Sequence, residues 1–402
     1  MHCTRVQYGK HKPLGNQLEM TLPYWRLSSF YFFYFATLGA FLPFWSLYLK
    51  QTGFAADQIG ELTAMLVATK IIAPYFFSWL ADKTGRSLGL IRFMSLLAVL
   101  FFSGFLYRSD YQWIAAVTVA FSFFWNATLP QFEAATMLHL RSEPQRYSRI
   151  RLWGSVGFIA AVLGIGRFFD YFPITYLPWI ISGLLTLNWL VALITPEVVV
   201  MHTNKVAHNI FSVLFKPQML AFFLVYLLLQ VAHGPYYVFY SVYLQQHHYT
   251  TTMTGELWAL GVVAEIFVFI WIHGLFGRFS LRTLLLSSLT LSVLRWLMIA
   301  YGVDRLLVIM FAQLLHAASF GVAHVVAIQF IHRYFGAGHQ SKGQAFYSSL
   351  SFGAGGMLGS FFSGYFWDLL GGETVFVIAA LASGFALLIA YIGVGRARLQ
   401  EV

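Results

Sequence analysis

One passage of this chain occurs twice. Slid by 195 positions, Gly39–Lys70 falls without a gap on Gly234–Glu265, with 11 identities in 32 positions. Phe44-Trp45-Ser46-Leu47-Tyr48-Leu49-Lys50-Gln51 matches Phe239-Tyr240-Ser241-Val242-Tyr243-Leu244-Gln245-Gln246 at five of eight places, and Gly60-Glu61-Leu62-Thr63-Ala64 matches Gly255-Glu256-Leu257-Trp258-Ala259 at four of five. A second echo sets Gly166-Arg167-Phe168-Phe169-Asp170 against Gly364-Tyr365-Phe366-Trp367-Asp368. A period of half the chain constrains the fold more than any single motif, because it demands two copies of one unit.

The units are built for lipid. Of 402 residues, 59% are hydrophobic and 10% charged, whereas soluble domains carry about 25% charged residues. A helix needs about 20 apolar residues to cross a bilayer. Twelve runs qualify, at 23–49, 57–80, 88–107, 111–137, 148–169, 174–195, 218–245, 253–276, 283–302, 304–332, 343–367 and 372–395. They are continuous and too long for barrel strands of about ten alternating residues. The fold class is therefore an all-α membrane protein of twelve transmembrane helices in two six-helix pseudo-repeats. The expected organisation is a tail 1–22, a bundle 23–195, a linker 196–217, a bundle 218–395 and a tail 396–402. Asp57, Asp110 and Asp304 stand where helix N-caps are wanted.

The formal charge of +10 is topology information, not a nucleic-acid surface, because it sits between the spans. One set of connecting segments with the tails holds nineteen Lys and Arg; the other holds Lys50, Arg108, Arg167 and Arg305. That asymmetry predicts both termini in the cytoplasm, in a bacterial-type inner membrane. The basic, polar stretch Met1 to Leu22 does not read as a removable signal. Cys3 is the single cysteine, so no internal disulfide is expected.

The loop after the second span reads Leu80-Ala81-Asp82-Lys83-Thr84-Gly85-Arg86. It resembles the loop signature of the major facilitator superfamily, with Ser78 where that family usually has glycine. The resemblance implies a gating loop of Asp82, Lys83, Gly85 and Arg86. The corresponding loop of the second half keeps Gly277-Arg278 and Arg282 without the aspartate. Phe132-Glu133-Ala134 followed by Arg149-Ile150-Arg151-Leu152-Trp153-Gly154-Ser155-Val156-Gly157-Phe158 resembles the lactose permease and nucleoside–proton symporter branch. Two further stretches are similar to the phenylpropionate-permease family within that branch, Gln230-Val231-Ala232-His233-Gly234 with Gly261-Val262-Val263-Ala264-Glu265, and Leu294-Arg295-Trp296 with Gln313-Leu314-Leu315-His316 and His324, as is Phe41-Leu42-Pro43-Phe44-Trp45-Ser46. The resemblance implies that Glu133, Arg151 and the ring of Phe158 contact solute. It departs at Ser319, where lactose permease has an essential glutamate.

Ionisable groups inside a membrane are expensive, a few kcal/mol each, so each asks for a reason. Lys70 and Glu265 are repeat equivalents near mid-span with opposite charge, and snorkelling is a poor account of a lysine so far from either interface. Glu61 and Glu256 lie nine residues earlier, in first helical turns that favour carboxylates, and read as helix starts. Arg295 needs a counter-charge, for which Glu265 is the natural choice. His316 and His324 share a span, and imidazole titrates near physiological pH. His233, Tyr236, Tyr237, Tyr240 and Trp258 could stack on a planar ligand. The expected solute site is thus Lys70, Glu133, Arg151, Phe158, His233 and Tyr236, and the expected proton site Glu265, Arg295, His316 and His324.

No nucleotide, metal or nucleophile motif is present, so no enzyme and no metal site are expected. The reading is a proton-coupled symporter importing an aromatic acid, nucleoside or sugar-like solute by alternating access. It would need no cofactor beyond the proton gradient, act as a monomer, and have solute, protons and lipid as its partners. A proton-antiport exporter remains open, although Leu152 to Phe169 lacks the proline of the exporter pattern. A sensor without turnover remains open too.

Overall fold

The computed structural model describes residues 22–140, 143–197 and 211–394. The tails, most of the linker 196–217 and seven of the nineteen cations of the terminal side lie outside the described residues.

Among the described residues eleven helices are long and apolar enough to cross a membrane. They are α1 Tyr24–Gln51, α2 Ala56–Thr84, α3 Ser87–Phe102 continued by a 3-10 turn Ser103–Leu106, α4 Tyr111–His139, α5 Tyr147–Phe169 and α6 Leu177–Ile194. Then come α7 Pro217–Gln246, α8 Thr251–Arg278, α9 Leu281–Gly302, α10 Leu306–Phe335 and α11 Lys342–Gly393. The last has 52 residues, which at 1.5 Å per residue is about 78 Å, more than twice a hydrocarbon core of about 30 Å. Gly371 divides it, with φ 80° and ψ 157°, a conformation only glycine holds without strain. Its two arms, 342–370 and 372–393, complete twelve crossings.

The helices overrun the apolar runs because their last turns are polar and still helical. Asp110 caps α4 as expected, accepting from the Trp113 amide at 3.1 Å. The other two caps differ. Ala55 holds the N-cap of α2, with Gln58 Oε1 reaching back to its amide at 3.2 Å, which pushes Asp57 inside the first turn. Arg305 holds that of α10, and Asp304 instead meets His247 Nδ1 at 2.6 Å.

In the first half α1 packs on α5 and α6, and α4 on α2 and α3; in the second, α11 packs on α7 and α9. Between halves the main contacts are α2 with α11, α5 with α8, and α1 with α7. Call the end at which α1 begins and α11 ends the terminal end, and its opposite the far end. At the far end hydrogen bonds join the halves. Asp170 follows α5 and accepts from the Thr251 amide at 3.0 Å, the Thr251 hydroxyl at 2.6 Å, the Thr252 amide at 3.3 Å and the Thr252 hydroxyl. On the opposite side Asp368 of α11 accepts from the Ala56 amide of α2 at 3.3 Å.

Glycines let the backbones meet beside these carboxylates. A β-carbon on Gly255 would lie 2.2 Å from the Val162 carbonyl oxygen, and one on Gly60 2.6 Å from the Gly364 α-carbon. Gly60 and Gly255 are equivalents in the first repeat, and Gly166 and Gly364 begin the second echo. The repeated words of the sequence are thus two copies of one contact, closing the far end on both sides.

Candidate functional site

Below that closure, toward the terminal end, lie the ionisable side chains of both halves. On the first half, Arg151 of α5 reaches Glu133 of α4, Nε to Oε1 3.6 Å, with the two side chains 31% and 38% exposed. The guanidinium lies over the rings of Phe35 at 3.9 Å and Tyr31 at 5.5 Å, the stacking that a planar cation favours. The Tyr147 hydroxyl bonds to Glu133 as well, so the carboxylate is oriented by two partners.

Lys70 sits on α2 between the α4 and α11 contacts. Asn126 of α4 donates to the Leu66 carbonyl and the Thr69 hydroxyl, both at 2.8 Å, while Gly353 and Gly356 of α11 lie against Ile71 and Val67. Ile72 and Trp79 are exposed, 65% and 57%, and mark the lipid face. At 100° per residue Lys70 points about 160° from Ile72 and 180° from Trp79, into the protein. Among the described residues no hydrogen bond, ion pair or ring contact engages it.

Glu265 repeats this geometry on α8, with exposed Phe267 two residues on, as Ile72 follows Lys70. Its Oε1 meets Nε2 of His316 at 2.9 Å, with side-chain exposures of 14% and 8%. Arg295 does not form the expected pair with Glu265. It is fully buried, donates to the Ala312 carbonyl at 3.1 Å and the Ser319 hydroxyl at 3.4 Å, and is sandwiched by Tyr236 at 4.2 Å and Trp296 at 4.5 Å. Aromatic faces and neutral oxygens take the place of a carboxylate. Tyr236 then donates to Gln313 Oε1 at 2.9 Å.

The π-helical turn Ala317–Val322 separates the histidines of α10. His316 lies parallel to Phe320, centroids 5.3 Å apart at 6°, and Phe320 to His324, 6.3 Å at 9°. His324 Nδ1 meets the Tyr347 hydroxyl at 3.2 Å, so the histidines serve different partners. His233 is fully buried, its Nδ1 on the Leu229 carbonyl at 2.7 Å and its ring edge-on to Trp296. Phe158 and Trp258, 6.5 Å apart, join the halves, and Trp258 lies tilted beside Tyr236 at 4.6 Å.

The loop Asp82–Arg86 lies at the terminal end. Gly85 ends α2 at φ 67°, Lys83 lies over the Trp79 ring at 5.2 Å, and Arg86 is the N-cap of α3. Glu61 accepts from the Tyr111 hydroxyl, in keeping with a helix start. Sequence reasoning missed Phe35, Tyr31 and Tyr147 around Glu133, and Gln313 at Tyr236. It missed Asp170 and Asp368 as closure residues, although the echo that contains both was the signal for them.

The comparisons with known proteins agree with this architecture. The model of the MFS_1 like family matches residues 24–378. A probable 3-phenylpropionic acid transporter of Escherichia coli (strain K12) is 30% identical over 356 residues, 88% of this chain and 93% of the relative. The maltose permease of Geobacillus stearothermophilus is 27% identical over 375 residues, 90% of this chain and 92% of the relative. The crystal structure of nucleoside transporter NupG has a TM-score of 0.80 at 16% identity, covering 92% of this chain and 97% of that one. The chain is a multi-pass membrane transporter and not an enzyme, and it belongs to the MFS_1 like family of the major facilitator superfamily.

Proposed function

We propose that the protein imports a small organic solute by proton symport, with its terminal end in the cytoplasm of a bacterial-type inner membrane. On this reading a cleft between the halves opens to the cytoplasm, and the closed far end faces outward. The excess of cations in the terminal-end segments supports this orientation. One chain encloses the cleft, so a monomer suffices.

The observation that carries the symport reading is the Glu265–His316 contact at 2.9 Å, a carboxylate and an imidazole able to share one proton within reach of the cleft. Charged or titratable neighbours face it from every packed element: Arg295 on α9, His324 on α10, Arg151 on α5, and Tyr236 and Tyr237 on α7. Glu133, Arg151, Lys70 and the rings of Phe158 and Tyr236 take the solute. The relatives' names, for phenylpropionate, maltose and nucleosides, keep the aromatic-acid, sugar and nucleoside classes in view.

Proteoliposomes test this reading. An inward proton gradient should drive accumulation of the solute, and collapse of the gradient should leave only exchange. Accumulation driven by an outward gradient would make the protein an exporter, and binding without either flux would make it a sensor.

A further inference from the structure

We infer that the core of the second half binds one small inorganic anion, a chloride, held by Arg295 of α9, Gln313 of α10 and Tyr240 of α7. This ligand is distinct from the solute and from the shared proton, and the uptake reading does not require it.

Arg295 carries a charge that no carboxylate answers. Its side chain is fully buried, and none of the ion pairs among the described residues includes it. Nε and Nη1 donate to neutral oxygens, the Ala312 carbonyl and the Ser319 hydroxyl. Nη2 is buried with no hydrogen-bond partner among the described residues. Glu265 is bonded to His316 instead. With a proton shared there that pair is neutral, and the charge of Arg295 stands alone. A buried cation without a counter-ion is strongly destabilising.

The groups around it are donors. Gln313 gives Oε1 to the Tyr236 hydroxyl at 2.9 Å, and its amide nitrogen is buried and unpartnered among the described residues. The Tyr240 hydroxyl is in the same position. All three side chains gather on one ring. The Arg295 guanidinium lies over Tyr236 at 4.2 Å, Gln313 holds its hydroxyl, and the Tyr240 ring is 4.9 Å away. A guanidinium and an amide nitrogen can only donate, and a phenol can donate as well. One halide ion accepts all three hydrogens and cancels the charge; a water would leave the charge in place. Gly261 leaves room beside the Gln313 amide, since a β-carbon there would still lie 3.4 Å from Oε1, and a chloride is about as large as a methyl group. Tyr236 and Trp296 wall the guanidinium on its faces, which admits a bare ion and keeps out the body of an organic solute.

The experiment is binding of radiolabelled chloride to purified full-length protein in detergent, in sodium gluconate at constant ionic strength, with melting temperature followed over the same titration. Wild type should bind one chloride per chain saturably, with bromide competing and gluconate not, and should melt several degrees higher once the ion is bound. Gln313→Glu keeps the shape, can still accept from Tyr236 and sets a carboxylate oxygen where the amide nitrogen stands. It should weaken chloride binding by about tenfold or more and melt in gluconate as wild type does in chloride. Tyr240→Phe should weaken chloride binding several-fold. No saturable chloride binding in wild type, wild-type affinity in either variant, or a Gln313→Glu protein that still needs chloride for its stability overturns the proposal. Should Gln313→Glu fail to fold, wild type and Tyr240→Phe still decide. Neither solute nor gradient enters the measurement, so its outcome is independent of the uptake reading.

Discussion

Gly60 of α2 and Gly364 of α11 stand so close that a β-carbon built on either would lie 2.6 Å from the other's α-carbon. No side chain can be accommodated there without parting the halves, and the same is true of Gly255 against Val162. Closure of the far end therefore depends on bare backbone, a feature typical of membrane helices that pack tightly.

Gly60→Ala and Gly255→Ala should each shift the population toward a far-end-open state. The readout is a Val162→Cys reporter in a Cys3→Ser background, labelled by a membrane-impermeant maleimide from the far side. Labelling should rise by about tenfold, the scale of a shift of roughly 1.4 kcal/mol. Unchanged labelling in both variants would mean that the closure is not held by these contacts.

The same reporter should reveal a pH dependence. Burial raises the Asp170 carboxyl, but the hydrogen bonds from Thr251 and Thr252 outweigh it and hold the group below the usual carboxylate range. Opening breaks those bonds, so the pKa is lower in the closed state than in the open one. The carboxylate's contribution to closure is present above the open-state value and is lost as pH falls through the closed-state value. Labelling should therefore be flat near neutrality and rise only in strong acid. Asp170→Asn should label readily at neutral pH and lose that acid limb.

Glu133→Ala and Arg151→Ala should each weaken solute binding by roughly 2 kcal/mol, the scale of a hydrogen bond to a charged group. A larger loss is not expected, because both side chains are about one-third exposed and screened. Arg151→Lys should not restore binding, since lysine lacks the plane that lies on Phe35. Equal affinity of folded Arg151→Lys and wild type, by titration calorimetry, would remove this pair from the solute site.

Glu265→Gln should abolish proton-driven accumulation and preserve counterflow, because exchange needs no net release of a proton. His316→Gln should do the same if the two share that proton. Retained accumulation in Glu265→Gln would move the coupling group to His324, which has its own partner in Tyr347.

Asp82→Asn should leave solute affinity unchanged and slow turnover several-fold, since the loop lies at the terminal end and away from the cleft. Equal turnover at equal expression would make Asp82–Arg86 an ordinary connecting turn.

The crossings were legible because each is an apolar run bounded by polar residues, and the duplication fixed their grouping. Boundaries were less so: Asp57 and Asp304 look like caps in sequence, but Gln58 reaches back to Ala55 and His247 holds Asp304, contacts that spacing does not reveal. Glu133 with Arg151 could be read from a motif that brings charges of two successive helices together. Arg295 with Glu265 could not, because the choice between a carboxylate and two aromatic faces depends on how α7 and α9 pack. The π turn Ala317–Val322 also escaped notice, and it is what sends His316 and His324 to different partners.

Gly371 joins the last two crossings with a single residue, while the neighbouring far-end connections have several. A corner with no slack offers nothing for a protease to seize, so digestion from the far side should spare it and cut elsewhere. An epitope spliced in after Gly371 should disturb the nearby Asp368 contact and impair transport, whereas the same epitope between α5 and α6, within 172–175, should be tolerated.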